Sequence, residues 1–119
     1  MRIVHFELPA DDTARCMAFY GKVFGWTFEK YDGPMEYWMV KTGDGPGIDG
    51  GLMARAHPGQ TPNNVIAVAS VDDISKAIVA AGGTVAVTKM AIPGVGFSAY
   101  YLDSEKNTFG VIQFDPNAA

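Results

Sequence analysis

The chain has a single cysteine, Cys16, only nine lysines and arginines against thirteen acidic residues, and no apolar run of membrane-spanning length. One thiol excludes an intrachain disulfide and any cysteine-rich zinc site, and it fits a reducing cytoplasm. A net charge of −4 and an isoelectric point near 4.9 leave no basic stripe to neutralise phosphates, which argues against nucleic acid as a partner. Neutral or cationic ligands are mildly favoured. A bilayer-crossing helix needs about 20 apolar residues, and no segment approaches that, so no membrane partner is expected. The opening stretch Met1 to Glu7 has no long apolar run behind its positive charge, so no signal peptide is expected.

What is present is a chain of 119 residues with 48% apolar content, enough for one well-buried core. A single domain over 1–119 is expected, built from two internal modules at about 1–57 and 63–115. Residues 2–8 predict a strand closed by Pro9. Asp11-Asp12 then offer a cap to a helix whose apolar face is predicted to be Phe19, Tyr20, Val23 and Phe24. Gly25 supplies its stop. Strands are predicted at 26–30 and 37–41, split by the turn signal Asp32-Gly33-Pro34, and at 50–55.

After a polar connector the order begins again: a strand at 65–70, a helix capped by Asp72-Asp73 and ended by Gly82-Gly83, and strands at 84–89, 97–102 and 109–114. Asp11-Asp12 and Asp72-Asp73 are offset by 61, and Gly51-Leu52-Met53 and Gly110-Val111-Ile112 by 59, which marks an internal repeat. The predicted class is α+β: two tandem βαβββ modules forming one curved mixed sheet, helices on its convex face and a pocket on its concave face.

Specific motifs support this reading. His5-Phe6-Glu7-Leu8, Asp11-Asp12 and the stretch Ala18 to Trp26 (AFYGKVFGW) resemble the opening of vicinal oxygen chelate proteins, the glyoxalase, bleomycin-resistance and extradiol dioxygenase superfamily. Val71-Asp72-Asp73 and Leu102 to Gly110 (LDSEKNTFG) are similar to the second half of that family, whose closing motif is DPxGNxFG. Together the motifs span residues 3–114.

The resemblance implies a divalent metal held by side chains on the first and fourth strands of each half. Carried over position by position, His5 matches the first ligand. The others fall on Gly51 (or Leu52 after a one-residue slip), Ile66 and Gly110. Glycine and isoleucine offer no lone pair, so His5 is the only matching ligand and no metal cofactor is expected. Metal-dependent glyoxalase I and dioxygenase chemistry is disfavoured accordingly.

Gly45-Pro46-Gly47-Ile48-Asp49-Gly50 spells a dinucleotide fingerprint, but a strand rather than a helix follows it, so it is taken as a loop. Cys16 sits in a helix with no His or Lys at helical spacing to activate it. If Gly51 and Gly110 mark the concave face, alternation adds His5, Glu7, Met53, Arg55, Ile66, Val68 and Ile112, with Trp38, Phe97 and Tyr100 as aromatic walls.

The expected function is metal-independent binding of a small hydrophobic or amphipathic compound by a cytoplasmic homodimer. The alternative is a glyoxalase-like lyase or isomerase of a small carbonyl compound, with His5 and Glu7 as acid-base pair. A third possibility is an accessory domain of a larger complex.

Overall fold

The computed structural model describes residues 1–119. The elements run β1 (Ile3–Ala10), α1 (Thr13–Phe24), β2 (Thr27–Lys30), β3 (Tyr37–Lys41), β4 (Gly50–Ala54), β5 (Asn63–Ala67), α2 (Val71–Ala80), β6 (Thr84–Ile92), β7 (Gly96–Leu102) and β8 (Thr108–Phe114). This is βαβββ written twice, and the α+β class follows. Neither helix is long and apolar enough to cross a membrane.

The chain divides into two compact units: His5–Pro62, here the first module, and Asn63–Ala119 joined by Met1–Val4, the second. The first four residues therefore belong with the second module, where Arg2 C=O accepts the N–H of Ala67.

In the first module the strand order is β2-β3-β4-β1, with β1 parallel to β4 and the other pairs antiparallel. Ala10, Val40 and Leu52 are buried on one sheet face, packed with Phe6, Leu8, Trp26, Phe28, Trp38 and with Cys16 and Met17 from α1. Asp12 caps α1 by accepting the Arg15 N–H at 3.0 Å, and Gly25 ends it at φ 75, a conformation that costs glycine little.

The helix face is not the one expected. Phe19, Val23 and Phe24 are more than half exposed, while Cys16, which helical spacing sets on or beside the apolar face, meets the sheet together with Met17. Tyr20 alone of the predicted set turns inward, stacking on Trp26 with ring centroids 4.8 Å apart. The helix is rotated so that one aromatic lies flat on Trp26 and its neighbours cluster around it.

The second module repeats the plan as β5-β8-β7-β6, with β5 parallel to β8. Val68, Val71, Ala99, Tyr101 and Val111 form its core, with Ile66, Ile74, Ile78, Phe97 and Phe109 packed against them. The cap of α2 is Ser70, whose hydroxyl accepts the Asp73 N–H at 3.1 Å, and Gln113 accepts the Val71 N–H at 2.9 Å. Asp72 and Asp73 lie in the first turn, where they favour the positive end of the helix rather than capping it. β6, the edge strand, is exposed along nearly its whole length, and its pairing with β7 shifts register twice.

Candidate functional site

Period-two alternation places His5 and Glu7 on the sheet face opposite the α1 core, since Phe6 and Leu8 between and beside them pack against the helix side. The parallel ladder sets Glu7 beside Gly51 on β4, and the antiparallel ladder sets Gly51 beside Met39 and Met53 beside Tyr37 on β3. Glu7, Gly51, Met53 and Tyr37 thus share that face with His5.

Tyr37 joins the two polar residues. Its hydroxyl donates to Glu7 Oε2 at 3.0 Å and lies 2.7 Å from His5 Nε2. The imidazole and phenol planes are within 10° of parallel, and Glu7 is only 7% exposed. Burial pushes the His5 pKa below the usual 6.5, with the charges of Glu7 and Asp49 opposing the shift. Asp49 is itself held by Thr42, which donates its N–H at 2.9 Å and its hydroxyl at 3.2 Å. Those bonds, with the backbone one foremost, hold the Asp49 carboxyl below its ordinary range.

The glycine at position 51 is what admits the phenol. A Cβ built on Gly51 would stand 1.8 Å from Tyr37 Oη and 2.1 Å from Cζ, deep inside contact distance. Next to it, a Cβ on Gly50 would meet the Phe6 ring at 2.5 Å on the core side. The paired glycines make room for one aromatic on each face of β4.

Other predicted site residues are placed as follows. Met53 lies on the His5 face. Arg55, just past β4, is engaged as a clamp: it pairs with Asp11 at 2.9 Å and donates to the carbonyls of Pro9 and Gln60. Trp38 points the other way, into the core beneath α1, and its indole N–H is buried without an acceptor. In the second module Tyr100 and Ile112 share a face with Gly110 and Ser98, whereas Ile66, Val68 and Phe97 pack into the α2 core.

Four residues assigned to the concave face, Trp38, Ile66, Val68 and Phe97, are therefore corrected. Trp38 pairs with Leu52 on the core face of β4, and for Ile66 and Val68 the cause is one residue of register. β1 and β4 pair Glu7 with Gly51, but β5 and β8 pair Val65 with Gly110, one residue further apart in sequence than the first pair. A shift of one exchanges the two faces of a strand, so Val65 rather than Ile66 shares the side of Gly110. Phe97 fails for a simpler reason: it and Tyr100 are three apart on one strand and cannot face the same way.

Two depressions mark the first module. One of about 400 Å3 is lined by Pro9, Ala10, Asp11, Asp12, Arg15, Cys16, Phe19 and Arg55. The other, about 150 Å3, lies within the loop from Thr42 to Asp49. Cys16 in the larger groove is half-buried, and burial raises its thiol pKa, which argues against a nucleophile.

Comparison with known proteins places this geometry. Residues 2–43 match a sequence family described as bleomycin resistance protein-like N-terminal. No curated protein matches the chain by sequence. Among solved structures, methylmalonyl-CoA epimerase from Mycobacterium tuberculosis superposes with a TM-score of 0.73 at 11% identity, covering 96% of this chain and 88% of that one. A glyoxalase/bleomycin resistance protein/dioxygenase superfamily member from Vibrio splendidus gives 0.65 at 18% identity, covering 96% and 98%. Streptomyces coelicolor methylmalonyl-CoA epimerase, solved with 2-nitronate-propionyl-CoA, gives 0.67 at 16% identity, covering 96% and 97%. At these identities the structural likeness concerns the fold. Together with the sequence match over residues 2–43, that fold supports a place for the chain in the vicinal oxygen chelate superfamily.

The metal that the superfamily resemblance implies does not suit this donor set. Of the first-module positions His5 has a lone pair and Gly51 has none, and the space a Gly51 side chain would occupy is taken by the Tyr37 phenol. His5 and Glu7 are spanned by that phenol.

Proposed function

We propose that the protein binds a small hydrophobic or amphipathic compound without a metal ion, its polar group met by His5 and Tyr37 and its apolar part by flanking side chains such as Met53. The observation that carries this reading is the hydrogen-bonded chain His5–Tyr37–Glu7. It is a polar, directional feature set beside Gly51, Met39 and Met53 on a sheet face whose outer strands add Thr27, Glu29 and Lys41, and a few converging polar groups beside apolar ones are what a ligand site needs. The protein is taken to act as a cytoplasmic homodimer, which light scattering on the purified chain tests.

A screen of amphipathic small molecules in the presence of a chelator, followed through the backbone amide resonances of β1, β3 and β4, tests the binding reading. The expected result is a set of saturable shifts around His5 and Tyr37 that His5→Ala abolishes while the fold is retained. Binding only after a divalent metal is restored would overturn it.

One observation favours a second reading, a lyase or isomerase of a small carbonyl compound. Burial keeps the imidazole of His5 neutral near pH 7, the form a general base needs, and a carboxylate stands one phenol away. The epimerases that share the fold are consistent with it. On a substrate found by screening, His5→Ala would lower kcat by about a hundredfold or more if the imidazole is the base. Unchanged turnover would exclude the role.

A further inference from the structure

A phenol has one proton to give, and in this chain it is committed. Tyr37 Oη–H donates to the Glu7 carboxylate at 3.0 Å, so the 2.7 Å contact between Tyr37 Oη and His5 Nε2 has to be made with the imidazole as donor. The opposite polarity, with the phenol proton on His5, would set the phenol oxygen and a carboxylate oxygen against each other as two acceptors at 3.0 Å.

We infer that Tyr37 is a positioning residue that holds neutral His5 in its Nε2–H tautomer, leaving Nδ1 as the basic nitrogen of the site. Glu7 on the same strand, Tyr37 from β3 and Asp49 just before β4 are the charged and titratable groups around the ring, and of these Tyr37 makes its hydrogen bond. The near-parallel ring planes suit an in-plane N–H bond to the phenol oxygen. Gly51 is part of the device, because any side chain there would displace the hydroxyl.

The inference rests on the proposed function only for its use. A ligand recognised by this histidine must bring a hydrogen-bond donor to Nδ1: a hydroxyl, an amide N–H or a C–H made acidic by a neighbouring carbonyl. Anionic groups with no donor are disfavoured there, since Nδ1 and the nearby Glu7 and Asp49 carboxylates all repel them.

Nitrogen-15 NMR of the imidazole rings in the intact, ligand-free protein at pH 8 tests the assignment. The expected spectrum has His5 Nε2 at the shift of a protonated ring nitrogen and Nδ1 at that of a bare one, a single tautomer. His57, in the exposed connector, serves as the reference for an unconstrained ring. Tyr37→Phe keeps the ring and removes the hydroxyl, and His5 should then show averaged shifts like those of His57. Nδ1–H in the unaltered protein would overturn the inference, and so would a pure Nε2–H tautomer in the Tyr37→Phe protein. Because no ligand is added, a locked tautomer in a protein that binds none of the screened compounds would sink the binding reading and leave this inference standing.

Discussion

The two modules place a tyrosine over a glycine of the last strand, yet they do so differently. In the first module Tyr37 comes diagonally from β3 and its hydroxyl sits where a Gly51 side chain would be, 1.8 Å from the built Cβ. In the second, Tyr100 lies directly across from Gly110 on β7, and its ring edge is 3.0 Å from the corresponding Cβ. The first contact leaves no room at all. The second is merely tight. Around Tyr37 stand an imidazole and a carboxylate, whereas the strand neighbours on the Gly110 face are Val65, Ser98 and Ile112. The same packing device stands in both halves, and in the first an imidazole and a carboxylate bond to the phenol that fills it.

Adding one methyl group to each glycine tests that difference most severely. Gly51→Ala should destabilise the protein by about 3 kcal/mol, the upper range for overpacking a buried site, because both phenol and strand are pinned. Gly110→Ala should cost about 1 kcal/mol, since a ring edge can yield by a few tenths of an ångström. Urea unfolding measures both, and equal losses would break the comparison. Combining Gly51→Ala with Tyr37→Ala should recover much of the loss, the coupling expected of two residues competing for one space.

Such a test matters because this contact was the least legible part of the site. Alternation from His5 reached Glu7 without a structure, and the βαβββ repeat was written in the Asp-Asp and Gly-Gly spacings. In the sequence Tyr37 and Trp38 are simply adjacent aromatics on the third strand, and only the cross-strand register shows that Tyr37 faces His5 while Trp38 faces α1. A sequence signal did exist: two successive glycines in a strand mark close approach on both faces. In the second half a repeat aligned on helix caps and glycines could not report the extra residue between β5 and β8. That residue turned Ile66 and Val68 toward the core. The exposure of Phe19, Val23 and Phe24 was equally hidden, because helical periodicity locates an apolar stripe but not the rotation at which one ring stacks on Trp26.

A smaller contrast lies in the turns. The second module holds the chain's one non-glycine residue at positive φ, Lys106 at 65°, where the family's closing motif has glycine. Asp103 steadies this turn by accepting the N–H groups of Glu105 and Asn107, bonds that also hold its carboxyl below the ordinary range. Lys106→Gly should stabilise the protein by up to about 1 kcal/mol, the strain relieved less the entropy glycine brings to the unfolded chain. Thermal unfolding measures it, and a loss of stability would mean that the turn gains more from the lysine side chain than the backbone loses.

The subtlest expected difference is in pH. His5, in the first module, is buried enough for its pKa to be lowered by desolvation. The unfolded chain then binds a proton at higher pH than the folded one does. Stability from this source is complete above about pH 6.5 and declines as the pH falls from there toward the folded pKa. Replacing His5 by Asn should flatten the stability profile below about pH 6.5. A profile that stayed steep without His5 would move the effect to other groups.

The double slip in the pairing of β6 with β7 has a consequence for how copies of the molecule meet. A nine-residue strand at the margin of a sheet, bearing Val85, Val87 and Met90 in the open, is the kind of template on which another chain could crystallise its own backbone. Irregularities between Val85 and Val87 and between Val87 and Met90 break that template into short pieces, and Lys89 sets a charge among them. The irregular border works as an insulator. Straightening it would raise the propensity of the protein to aggregate before it changed anything at His5.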